Sequence, residues 1–98
     1  MMLQQIVKVM QIALSCRSRA KMLLVENQYL EEHIFDSLII YTNNVIETIN
    51  LLTDVLEYHY DDLESLECLR LMEEVKKRID NSAEIEDHLS KYLSLTVH

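Results

Sequence analysis

Two histidines in this sequence are each followed, one helical turn on, by an aspartate: His33 with Asp36, and His59 with Asp62. At i, i+3 spacing both side chains share one helix face, and an imidazole nitrogen with a carboxylate oxygen can then ligate a metal ion. The two histidines lie 26 residues apart, so on one straight helix they stand at opposite ends. They would converge only across an antiparallel pair of chains. The same residues also have a plainer use: acids near helix starts act as caps, and a histidine favours a helix C-terminus. The plainer use is preferred, and no metal or other cofactor is expected.

Acids offer a second pattern, Glu64-x-x-Glu67 followed by Glu84-x-x-Asp87. Carboxylates in pairs on two facing helices suit magnesium, which takes oxygen ligands and keeps water in its shell. This spacing resembles the paired acidic motifs of the all-α nucleoside triphosphate pyrophosphohydrolases, the MazG-like family. The resemblance covers residues 64–87 and implies magnesium held against a phosphate chain. That family has adjacent glutamates before the last acid of its first motif, whereas Leu63 precedes Glu64 here. Two capping residues and a solvated acidic face account for the same four acids.

The remaining chemistry is sparse. Arg17-Ser18-Arg19-Ala20-Lys21 is a small basic cluster without aromatic neighbours, better suited to an acidic protein surface than to phosphate or lipid. Cys16 and Cys68 form neither a disulfide framework nor a zinc pattern. No local arrangement orients a nucleophile on a base. With no glycine there is no phosphate-cradling loop. No catalytic residue is assigned.

The elements that position these residues are helices. The chain has 98 residues, no Gly, no Pro and 49% apolar content. Hairpins and tight turns depend on glycine and proline, so their absence points to one all-α domain. From Phe35 the series Leu38, Thr42, Val45, Ile49, Leu52, Leu56, His59, Leu63, Leu66 advances in alternating steps of three and four. That is the spacing of a helix buried along one side by its neighbours. A similar stripe runs Ile6, Val9, Ala13, Cys16, Ala20, Leu23, Asn27, Leu30, Ile34, with small residues at its middle that permit close helix approach. Asn27 either fixes register on this seam or marks the end of its helix.

Four helices are expected, over about 3–32, 36–59, 62–80 and 82–95. Asp36 is a candidate N-cap for the second. Asn43 and Asn44 read as exposed mid-helix residues. Tyr58-His59-Tyr60-Asp61-Asp62 reads as a turn, with Asp61 and Glu64 at capping-box spacing, and Asn81 with Glu84 reads as a further restart. The expected fold is an antiparallel bundle of three to four helices, with dimerisation available to complete it.

Charge is unevenly spread over the net −8. Residues 1–25 carry Lys8, Arg17, Arg19 and Lys21 and no acid, while residues 26–74 hold 13 acids against Arg70 alone. An acidic body repels phosphate backbones, so no nucleic-acid partner is expected. The basic start is expected to lie against acidic helices of its own chain or of a copy. Lys8 interrupts the early apolar stretch, which argues against a secretory signal, and no run is long enough for a membrane span. A soluble intracellular protein without a membrane partner is the expectation.

At 1.5 Å per residue the first helix would be about 45 Å long and the last about 20 Å, leaving apolar surface of helix one uncovered. Leu3, Val7, Met10, Leu14 and Leu24 are the candidate partner-binding residues on that surface. The function expected is a non-enzymatic protein–protein interaction module: an adaptor, a small chaperone-like subunit or an inhibitor. A homodimer is preferred to an obligate foreign partner, and the metal-dependent pyrophosphohydrolase is the alternative.

Overall fold

The computed structural model describes residues 2–27 and 30–93, and these form three helices: α1 (Met2–Glu26), α2 (Glu32–Tyr58) and α3 (Leu66–Leu89). α2 lies between the other two and packs against both. One buried cluster joins Ile6 of α1 to Leu52 and Val55 of α2 and to Cys68 and Val75 of α3. The other joins Ala13, Ala20 and Leu23 to Ile34, Leu38, Tyr41, Val45, Ile49 and Leu89. Early α1 thus meets late α2, and late α2 meets early α3, so successive helices are antiparallel. The result is a rod of 46 × 21 × 17 Å.

The central place of α2 explains why its burial is broader than one seam. Ile34, Leu38, Tyr41, Val45, Thr48, Leu52 and Val55 are buried in alternating steps of four and three, with Thr42, Asn44 and Ile49 buried beside them. A helix covered on two flanks needs such a wide apolar arc. The expected seam is therefore half of the buried surface. Its members from Leu38 to Leu52 are buried and Leu56, His59 and Leu63 partly so, but its ends Phe35 and Leu66 are 41% and 66% exposed. Thr42, Thr48 and Thr53 satisfy their hydroxyls by donating to the carbonyls of Leu38, Asn44 and Ile49.

Helix boundaries depart from the sequence expectation at four places. α1 stops at Glu26, not near residue 32, with Asn27 at its end. The backbone N–H and the side-chain amide of Asn27 both donate to the Leu23 carbonyl, each at 3.0 Å. Asn27 is thus a helix end and not an interior register residue. α2 begins at Glu32, before the expected start, with Glu31 at the N-cap position and no side-chain cap, so Asp36 lies inside the helix.

The turn after Tyr58 is present, but its cap is different. Asp62 N–H donates to His59 O and Ser65 N–H to Asp62 O, so the chain makes successive tight turns through residues 59–65. Ser65, not Asp61, is the N-cap: its Oγ accepts from Cys68 N–H at 3.1 Å.

The expected fourth helix does not exist as a separate element. α3 passes through Asn81-Ser82-Ala83-Glu84 without a break. Packing decides this. Cys68, Val75 and Leu89 fall on one line at multiples of seven residues, and all three are buried. An interruption at Asn81 would throw Leu89 out of phase with Val75. The three helices are consequently near-equal, at 25, 27 and 24 residues, and the length mismatch expected to expose α1 is absent.

Asn44 is a further correction, being only 9% exposed. Its amide donates to the Arg78 carbonyl at 3.5 Å and its Oδ1 accepts from Arg78 Nη1 at 3.3 Å. Arg78 Nη1 also pairs with Glu47, and Arg78 Nε lies 3.3 Å from Glu74 Oε1 without hydrogen-bond geometry. This network clamps α2 to α3.

Candidate functional site: a groove between the outer helices

Among the described residues no Cα of α1 comes within 8 Å of a Cα of α3. Both helices lean on α2 and leave a groove between them. Its floor is Tyr41, Val45 and Thr48 of α2, its α1 wall Val9, Ile12, Ala13 and Cys16, and its α3 wall Ile79, Ser82, Ala83 and Glu86, around a cavity of about 240 Å³. A second cavity shares Val9 and continues along the same side between Gln5, Ile6 and Lys8 of α1 and Met72 of α3. From Gln5 to Cys16 the α1 wall is about 16 Å long at 1.5 Å per residue, about three helical turns.

The groove is apolar with a few polar groups at its base. Burial, then the hydrogen bond to Cys16, the Cys16 charge and the Glu86 carboxylate, push the Tyr41 hydroxyl above its ordinary range. Tyr41 is therefore held protonated, a hydrogen-bonding group and not a base. Ser82 Oγ is buried without a hydrogen-bond partner. Outside the groove, burial and then Asp62 push the Cys68 thiol up, consistent with its place in the core. Both cysteines are free thiols.

Of the groups singled out for chemistry, only His59 and Asp62 are brought together among the described residues. His59 Nδ1 lies 3.3 Å from Asp62 Oδ1, at the C-terminal end of α2. His33, at the other end, pairs with Glu31 at 3.5 Å and not with Asp36. Its ring meets Tyr92 edge-on at 6.0 Å, and Tyr92 meets His88 at 5.8 Å. Glu67 and Glu84 stand on the same helix, 17 residues and so about 26 Å apart. Two facing helices are what the pyrophosphohydrolase pattern requires, and a single continuous α3 separates its two acid pairs. Among the described residues no group of three or more His, Cys, Asp or Glu side chains is placed to hold a metal ion.

The candidate partner-binding residues divide. Met10, Leu14 and Leu24 pack against the core of this chain, Leu3 is half-buried, and Val7 is 41% exposed. The groove-wall residues Ile12 and Ile79, which the sequence did not single out as binding residues, are 56% and 39% exposed. A signal existed: Gln5, Val9, Ile12 and Cys16 advance by 4, 3 and 4, and Val9 and Cys16 belong also to the expected core stripe, whose edge borders the groove. Among the described residues no helix is long and apolar enough to cross a membrane. No protein-family model matches the chain, and no curated protein or solved structure matches it.

Proposed function

We propose that this chain is a non-enzymatic protein–protein interaction module that works by helix packing. The observation that carries this reading is the α1–α3 groove, three turns long and apolar, with Ile12 and Ile79 exposed on its two walls. Apolar surface of that kind on a small domain is costly in water and is relieved when another helix covers it. Val7 and its half-buried neighbours Leu3, Met10, Leu14 and Leu24 offer a second, shallower contact on α1. The acidity of α2, with five acids and no Lys or Arg, would steer a basic partner and set the on-rate. An adaptor, a sequestering subunit and an inhibitor all act in this way. The pyrophosphohydrolase alternative lacks comparable support, since its carboxylates stand far apart on one helix.

The test compares wild-type chain with Ile12→Glu in the groove and with Val7→Glu and Met10→Glu on the flank. Each immobilised protein is exposed to native lysate, its helicity is checked by circular dichroism, and its mass is measured in solution. The reading expects self-association or a retained protein that at least one substitution abolishes while helicity survives. Binding that ignores all three substitutions, or magnesium-dependent hydrolysis of a nucleoside triphosphate, would refute it.

A further inference from the structure

We infer that the groove is an interface between two copies of this chain, paired about a two-fold axis parallel to the helices so that α1 of each copy lies against α3 of the other. The inference rests on the interaction-module reading and names the partner. α1 and α3 run the same way on either side of α2, so two grooves set face to face bring four outer helices around one centre. Val9, Ile12 and Cys16 on α1 and Met72, Ile79 and Ala83 on α3 then occupy the inward positions of a four-helix core.

Charge selects the copy and its orientation. α1 carries Lys8, Arg17, Arg19 and Lys21 against Glu26 alone. Beyond Arg78, α3 carries Asp80, Glu84, Glu86 and Asp87 and no Lys or Arg. A two-fold axis along the helices sets each basic α1 beside the partner's acidic α3 half, so opposite signs alternate around the centre. An axis across the helices would set α1 on α1 and like charges together, which is disfavoured. Size permits the pairing: a long side of the 46 × 21 × 17 Å rod is comparable with the roughly 800 Å² that each partner contributes to a standard interface.

Light scattering on the wild-type chain should give twice the mass of one chain, and Ile12→Glu, at an exposed position, should give a helical monomer. Orientation is read by disulfide formation in Ile12→Cys combined with Ala83→Cys. Within one chain α1 and α3 have no Cα pair within 8 Å, beyond the roughly 7 Å limit of a disulfide. A bond between positions 12 and 83, located by peptide mapping, must therefore join two chains. The expected result is such a covalent dimer, with little dimer from Ile12→Cys alone. A wild-type monomer at about 100 µM, an Ile12→Glu variant that stays dimeric, or equal cross-linking by Ile12→Cys alone overturns the inference. A monomeric wild type that still retains a lysate protein through Ile12 would overturn the self-pairing alone and leave the interaction-module reading standing.

Discussion

Replacing Ala83 by proline separates a continuous α3 from a helix that restarts at Asn81. In the structure Ala83 lies inside Leu66–Leu89 with its side chain exposed, so substitution there perturbs the backbone more than the core. Proline removes the N–H that bonds to the carbonyl four residues back and drives its ring into that carbonyl, at a cost of about 3 kcal/mol or more. The helix has no cheap escape by unwinding beyond residue 83. Leu89 is fully buried and Ile85 packs on the same cluster, and exposing a leucine alone costs about 1.5–3 kcal/mol. Both routes therefore lead to a loss of about 3 kcal/mol. Against a total stability of roughly 5–15 kcal/mol, that is a large share. It should lower the melting temperature by at least about 12 °C at the 4–8 °C per kcal/mol of a domain this size. Urea and thermal unfolding followed by circular dichroism at 222 nm read this directly, with Ala83→Gly, at about 1 kcal/mol, as the control. Were Asn81 an N-cap, residue 83 would sit in a first turn that tolerates proline. A loss no larger than that of the glycine variant would refute the continuous helix and the heptad-phase argument behind it.

Two further outcomes follow from the buried polar groups. Tyr41 is raised above its ordinary value of 10.0, mainly by burial. The folded chain therefore holds its proton where the unfolded chain releases it, and stability should be full below pH 10.0 and fall as pH rises beyond it. Tyr41→Phe should flatten the part of this alkaline slope due to Tyr41 in unfolding measured above pH 10.0, and an unchanged slope would show that other groups produce it. Arg78→Met should cost about 1–2 kcal/mol in urea unfolding, because it leaves the buried Asn44 Oδ1 without its donor. The Glu47 and Glu74 pairs, with carboxylates 51% and 42% exposed, contribute only tenths each. A loss below about 0.5 kcal/mol would mean that water replaces Arg78 at Asn44.

That the chain is helical, that Ile6, Ala13, Ala20 and Leu23 lie on a buried stripe of α1, and that a turn follows Tyr58 can all be read from the residues alone. Missing glycine and proline remove the alternatives to helix, and the 3–4 spacing from Ile6 to Leu23 is a local property of one helix. Capping residues were less decisive. Asp61 with Glu64 and Asn81 with Glu84 have equally good local spacing, yet the chain uses Ser65 in place of Asp61 and runs straight through Asn81. A cap matters only where the helix actually ends, and that depends on whether the residues beyond it, here Leu89, keep their place in the core.

The tertiary structure alone decided the position of α2 between its neighbours, which turned one expected seam into a two-sided face and buried Tyr41, Thr48 and Val55. It decided that Asn44 is a buried clamp on Arg78, because a mid-helix asparagine looks the same in sequence whether it meets water or another helix. It also revealed an apolar groove between α1 and α3 beside the Leu3–Leu14 flank. The residues of that groove are spaced like any amphipathic stripe, and nothing local distinguishes a stripe that meets a neighbour from one that does not. Only the separation of the outer helices does. His33 with Asp36 and Glu84 with Asp87 lie on helices at that spacing, whereas His59, Asp62 and Glu64 fall in the turn between α2 and α3. Whether such groups meet is set by where helices begin and end, and one continuous α3 keeps Glu67 and Glu84 apart.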